Sequence, residues 1–170
     1  MPPTHETRGT PHFPVTNEEL VKALKLLDAA PDAQLPEQFD RDGVRLADMR
    51  LGWLVQPSQE REIAEWAHAK QCGVLYKDDK LYIIGTAVYY AGHKWAREVL
   101  NMQAGVKSVW TYDKDDKDGF SSRPLFWIDS NNVVKEDRYT EAQWQRAADK
   151  LGFSGAPRWY ISMDYMYHVF

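Results

Sequence analysis

The stretch most suggestive of chemistry is residues 89–95, where His93 lies among aromatic side chains. An imidazole titrates near neutral pH, so a histidine in such a setting can act as a general base or as a ligand. A general base also needs a nucleophile or an orienting acid beside it, and no motif in the chain supplies either. His93 is therefore a weak catalytic candidate. The preferred interpretation of His93 is a partly buried helical histidine that hydrogen-bonds to the backbone or to a tyrosine.

A charged loop ending at Gly119 contains three weak candidates for metal ligands, Asp113, Asp116 and Asp118. Hard divalent cations prefer clustered carboxylates on a loop bent by glycine. When Gly119 is aligned with the sixth position of a calcium-binding loop, Lys114 and Leu125 occupy the first and twelfth positions, where carboxylates are required. The sequence therefore favours a solvated surface loop over a cation site.

Cys72 follows His68 by four residues, a spacing that places both on one helix face and could pair a thiolate with an imidazole. The pair falls near the predicted C-terminus of a helix, where the helix dipole disfavours a thiolate, so a buried structural cysteine is the preferred interpretation. Cys72 is the only cysteine, which excludes an intramolecular disulfide and predicts a reducing intracellular compartment. We expect the cytoplasm by default, with organelle import left open.

The remaining motif classes argue against cofactor and nucleic-acid chemistry. No glycine-rich dinucleotide fingerprint, phosphate-binding loop or hydrolase elbow occurs, and no cofactor is predicted. The net charge of −4 provides no overall attraction for nucleic acid. No apolar run approaches the ~20 residues that span a bilayer, so we expect a soluble protein without membrane insertion.

The front half reads as a tail followed by helices and a hairpin. Residues 1–15 carry four prolines, which predict an extended tail. Thr16 and Glu19 have the spacing of a capping box at the start of the first helix. Two further helices are predicted over 46–54 and from Ser58, and a tight hairpin over 74–84.

The back half reads as a long helix followed by strands. The pattern predicts a helix over 86–103 and a strand over 106–112. A second hairpin is predicted from Leu125-Phe126-Trp127-Ile128 and Val133-Val134, on either side of residues 129–132. Thr140 opens another helix, and period-two alternation from Trp159 predicts a strand that runs nearly to the end of the chain.

These elements predict a single α+β domain over residues 16–170, with helices packed on one face of a mainly antiparallel sheet. The predicted order is α-α-β-β-α-β-β-β-α-β. Helices followed by the hairpin are also the order of a winged helix, so the sequence allows a winged-helix-like front half with a soft division near residue 105. The would-be recognition helix carries Glu60, Glu62 and Glu65, which would repel phosphates and make nucleic-acid binding unlikely.

Aromatic side chains at both ends of the chain suggest contact with a partner, because aromatic residues are enriched at protein interfaces. The predicted contact residues are Phe13, Pro14, Tyr160, Tyr165, Tyr167 and Phe170. The alternative is that these aromatics complete the protein's own core.

The function favoured by the sequence is that of a non-catalytic interaction protein, an accessory or structural subunit of a larger macromolecular assembly whose partners are other proteins. One alternative is a small inhibitor or immunity-type protein, whose acidic charge would suit a basic target. Another is a small enzyme that uses His93, together with Asp116 and Asp118 if the fold brings them into one cleft.

Overall fold

The computed structural model describes residues 16–30, 33–35, 48–71, 74–77, 80–83, 87–131, 133 and 137–163. The predicted Pro-rich tail, Cys72 and the last seven residues lie outside these ranges. Within them, no helix has the length and apolar character needed to cross a membrane.

Four α-helices and six strands make up the described chain. The helices are α1 (Asn17–Ala29), α2 (Pro57–Ala69), α3 (Ala87–Trp95) and α4 (Glu141–Leu151). The strands are β1 (Met49–Leu54), β2 (Val74–Lys77), β3 (Lys80–Ile83), β4 (Gly105–Tyr112), β5 (Phe120–Ser130) and β6 (Arg158–Ser162). A π-helical segment, Ala96–Leu100, continues α3. The presence of both helices and strands agrees with the predicted mixed α+β class.

Capping boxes occur at the starts of α1 and α4, where the sequence predicts that helices begin. The Thr16 hydroxyl accepts a hydrogen bond from the Glu19 backbone N–H at 3.2 Å, and the Glu19 carboxylate accepts from the Thr16 N–H at 3.3 Å. The same reciprocal arrangement joins Thr140 and Gln143 at the start of α4. These bonds satisfy backbone donors that the first turn of a helix would leave unpaired.

Four antiparallel strands close on themselves in the order β1-β5-β4-β6, because β6 pairs with both β4 and β1. The hairpin of β2 and β3 forms a separate two-stranded sheet. Buried residues of the four helices share one hydrophobic cluster with residues of the four barrel strands.

The strand registers assign each side chain to the outer or the inner face, because directly opposed residues share a face. The outer face joins the helices in one hydrophobic cluster, and its members include Met49, Leu51, Trp53, Val106, Phe126, Trp159 and Ile161. Val109, Leu125 and Ser162 lie on the inner face and are fully buried. The core therefore has an outer layer shared with the helices and a small interior within the barrel.

The helix predicted over residues 46–54 is wrong, because β1 occupies Met49–Leu54. Met49, Leu51 and Trp53 alternate with less apolar residues and are all buried, which is the period of a strand. Gly52 lies so close to β5 that an added Cβ would be 2.0 Å from the Phe126 carbonyl oxygen. Tertiary pairing with β5 and β6 thus overrides the local helical pattern.

The second predicted hairpin is also wrong. β5 begins at Phe120, and its residues 120–127 pair with the whole of β4, so the hairpin turn is the charged segment 113–119. Val133 lies in a bend after β5, not in a strand. The polar side chains of Ser121, Ser122, Arg123 and Ser130 hid the full length of β5 in the sequence.

The observed order is α-β-α-β-β-α-β-β-α-β, which differs from the predicted one. The element before α2 is β1, so the helical order that suggested a winged helix does not occur. β1 pairs with β5 and β6, and these pairs link strands from both sides of residue 105.

Candidate functional site

One end of the barrel is open between β4 and β6. The two strands pair at Val109↔Ser162 and Trp110↔Ile161, and no described strand pairs with Thr111 and Tyr112 of β4 on that side. A cavity of about 370 Å³ opens at this position and is bounded by the second half of α1.

Side chains from both faces of the barrel line this cavity. The inner-face residues are Leu54, Thr111, Ser121, Arg123, Arg158 and Tyr160. The remaining lining residues are Leu24, Leu27, Asp28, Trp110, Tyr112, Asp113 and Trp159. Seven aromatic or aliphatic side chains and six polar or charged ones therefore make up the lining.

Arg158 fixes α1 across the end of the barrel. Its Nη2 atom donates to the backbone carbonyls of Leu27, Asp28 and Ala30 at 3.3, 2.6 and 3.3 Å. These carbonyls belong to the C-terminal turn of α1, where helical acceptors lack partners and the helix dipole favours a positive charge. Arg158 therefore has a structural role, because it holds α1 in place as a wall of the cavity.

Arg123 has no comparable structural contact among the described residues. It lies half-buried on the inner face opposite the buried Val109. Its guanidinium forms no hydrogen bond or ion pair with any residue in the part of the chain that the structure describes. A guanidinium carries five N–H donors, so Arg123 retains its whole binding capacity toward the cavity.

The two carboxylates of the lining are at its edge. Asp28 is exposed on α1, and the Oδ1 atom of Asp113 accepts a hydrogen bond from the Asp115 backbone N–H at 3.1 Å. Neither of them forms an ion pair with a described basic residue. The same lining contains two guanidinium groups, those of Arg123 and Arg158.

The aromatic wall is held by its own contacts. The rings of Trp110 and Phe120 meet edge to face with centroids 5.1 Å apart. The ammonium group of Lys25 lies 5.2 Å from the centre of the Tyr112 ring. These contacts stabilise the ring positions, so the wall is preorganised.

His93 lies near the opposite end of the barrel. Its Nδ1 is 2.9 Å from the Ala104 carbonyl oxygen, so Nδ1 carries the proton in that hydrogen bond. The ring stacks against Trp127 with centroids 6.4 Å apart, and the guanidinium of Arg50 lies 4.9 Å from the centre of that indole. This cluster of rings and one cation is held together by packing and cation–π contacts.

β4 separates His93 from the charged loop. His93 contacts Gly105 at the start of this strand, the loop follows its end, and the eight residues between span roughly 23 Å. His93, Asp116 and Asp118 are therefore not brought into one cleft.

The carboxylates of the charged loop organise the turn itself. The Asp116 Oδ1 accepts a hydrogen bond from the Asp118 backbone N–H at 2.8 Å, and the Asp113 N–H donates to the Gly119 carbonyl at 3.0 Å. Gly119 has a φ of 81°, a conformation that favours glycine. Among the described residues, no group of three or more histidine, cysteine, aspartate or glutamate side chains could hold a metal ion.

Of the six predicted contact residues, Tyr160 lies in the cavity lining. Phe13, Pro14, Tyr165, Tyr167 and Phe170 lie outside the described residues. Sequence reasoning missed Arg123, Trp110 and Tyr112. The alternation Ser121, Arg123, Leu125, Trp127 was a signal that β5 begins earlier and presents Arg123 on the same face as Leu125.

No family model, curated protein or solved structure matches this chain.

Proposed function

We propose that this protein is a non-catalytic interaction protein, an accessory or structural subunit that holds a segment of a partner polypeptide in the cavity at the end of its barrel. The observation that supports this most is the unpaired Arg123 in a cavity with preorganised aromatic walls. The single cysteine favours a reducing intracellular compartment as the place of this interaction.

The arrangement of the polar groups favours binding over catalysis. A catalytic set needs a base and its partner within hydrogen-bond reach. His93 is roughly 23 Å from the charged loop, and its Nδ1 is hydrogen-bonded to Ala104. Among the described residues, the cavity lining contains carboxylates, arginines and hydroxyls but no histidine, cysteine or lysine.

A polypeptide is the favoured occupant because the cavity adjoins a strand edge. The ladder between β4 and β6 stops at Trp110, and the β4 backbone continues through Thr111 and Tyr112. An extended segment can add to such an edge through main-chain hydrogen bonds, while neighbouring pockets select its side chains.

The test is co-purification of the tagged full-length chain from its native extract at low and high salt, compared between two phenylalanine variants. Ser121→Phe would fill the cavity from its inner wall. Ser122→Phe adds the same ring one residue later, on the outer face, at an exposed position that does not line the cavity. We expect a stoichiometric complex with wild type and Ser122→Phe that is lost with Ser121→Phe.

Recovery of the wild-type chain alone as a monomer would contradict the proposal, as would equal recovery of the complex with both variants. Circular dichroism and thermal unfolding of the two variants establish that a loss of binding does not come from a loss of fold.

A further inference from the structure

We propose, on the basis of the proposed function, that the partner segment in the cavity is an extended strand with one acidic side chain, whose carboxylate binds Arg123. Residues on either side of this acid would be apolar.

The charge of Arg123 favours a carboxylate on the partner segment. A half-buried guanidinium loses part of its hydration and receives no hydrogen-bond acceptor from the described residues in return. A carboxylate matches its planar fork with two parallel hydrogen bonds, which are among the stronger ones in proteins. The Nη2 atom of Arg158 is already engaged by three backbone carbonyls of the α1 terminus, whereas Arg123 has no acceptor among the described residues.

Asp28 and Asp113 limit the occupant to a single acid. Both line the same cavity as Arg123, so a second carboxylate would face like charges at the edge. A strongly acidic tract would therefore bind more weakly than one acid among neutral residues. This is a selectivity that net charge alone would not produce, since the whole chain carries −4.

The geometry of a strand then sets the pattern of the segment. A strand added along Thr111 and Tyr112 continues the sheet, so its side chains alternate between the inner and the outer face. The residue that faces inward meets Arg123, and its two neighbours face outward, toward the aromatic wall of Trp110 and Tyr112 and the Leu24 and Leu27 side chains of α1. The expected motif is apolar–acidic–apolar.

The probe is a display library of random heptapeptides, selected against the full-length protein in two formats. In one format the heptapeptide is flanked on both sides by constant sequence, and in the other it ends in a free carboxylate. We expect internal peptides with the apolar–acidic–apolar pattern to be enriched. Their synthetic versions should bind Arg123→Gln about tenfold or more weakly than wild type, the effect of one charge-assisted hydrogen-bonded pair.

Arg146→Gln is the matched control, since Arg146 is exposed on α4 and its replacement changes the net charge equally. The selected peptides should bind this variant as they bind wild type. Replacing the acid of the peptide by its amide should weaken binding to wild type and leave binding to Arg123→Gln unchanged.

Different failures identify which proposal is wrong. If Ser121→Phe abolishes peptide binding but Arg123→Gln does not, the cavity is the binding site and the acidic selectivity is wrong. Enrichment confined to free C-termini, or of peptides without an acid, also overturns the inference. If neither variant affects binding, or no peptide is enriched, the cavity is not a peptide site and both proposals fall.

Discussion

The Oδ2 atom of Asp129 accepts a hydrogen bond from the backbone N–H of Tyr139 at 2.7 Å. Its other oxygen accepts from the N–H of the following residue, Ser130, at 2.9 Å. The carboxylate is 4 % exposed, so it ties the segment before α4 to the end of β5 from within the protein. The Tyr139 hydroxyl in turn accepts from the Gln103 N–H at 2.8 Å, which joins the same segment to the approach to β4.

Asp129→Asn should lower the free energy of unfolding at neutral pH by about 1–3 kcal/mol, because an amide has one acceptor oxygen where the carboxylate uses two. One of the two backbone N–H groups would then face an NH₂ donor. Urea denaturation of both proteins measures this difference. Asp137→Asn is the control, since Asp137 is exposed and should tolerate the change; an equal loss in both variants would contradict the role assigned to Asp129.

The stability of the wild-type protein should also depend on pH through Asp129. Burial raises the pKa of this carboxyl above its ordinary 3.8, against the hydrogen bonds from Ser130 and Tyr139 and the nearby charge of Arg138. The folded state therefore holds the proton more tightly than the unfolded state. The resulting stabilisation is fully present below the ordinary pKa and is lost as pH rises through the raised one.

The check is a pair of stability curves against pH for wild type and Asp129→Asn. The wild-type free energy of unfolding, minus that of the variant, should decrease from acid pH to neutral pH. A difference that increases over this range would mean that the pKa of Asp129 is lowered on folding.

The sequence carries the local features of this fold because they depend on neighbouring residues. The capping box of Thr16 and Glu19 involves residues three apart, and the prediction is confirmed. The tight hairpin of β2 and β3 is likewise found where its turn signals predict it. In the last strand, the predicted alternation appears in the burial of Trp159 and Ile161.

Features that depend on distant pairing were missed. Residues 49–54 become a strand because they pair with β5 and β6, which begin more than sixty residues later in the chain. The cavity exists because β4 and β6 stop pairing at Trp110, and no local pattern encodes where a ladder ends. The sequence therefore provided no reason to predict Arg123 as a site residue.

Gly52→Ala should be among the most damaging single-methyl additions in the chain. The new Cβ would lie 2.0 Å from the Phe126 carbonyl oxygen and 2.8 Å from the Trp127 Cα, both backbone atoms that cannot move without breaking the β1–β5 pairing. We expect a loss of about 3 kcal/mol or more.

Gly152→Ala is the comparison for this variant. Gly152 has a φ of 70° and open space around its Cα, so alanine there costs only backbone strain, about 1 kcal/mol. Thermal unfolding of both variants shows which substitution causes the larger loss of stability. A smaller loss for Gly52→Ala than for Gly152→Ala would contradict the close approach of β1 and β5.

Arg158→Met should loosen α1 from the end of the barrel while keeping most of the aliphatic packing of the side chain. The three carbonyls of Leu27, Asp28 and Ala30 would lose their shared donor. Hydrogen bonds from a charged group contribute about 1.5–3 kcal/mol, so the free energy of unfolding should fall by roughly that amount. Because α1 forms one wall of the cavity, the variant should also bind a selected peptide more weakly, even though Arg123 is unchanged.

Hydrogen exchange measures the local effect of Arg158→Met. Backbone amides of α1 should exchange faster in this variant, whereas those of α4 should not. Uniform acceleration in both helices would mean that Arg158 supports the whole fold and does not act specifically on the wall of the cavity.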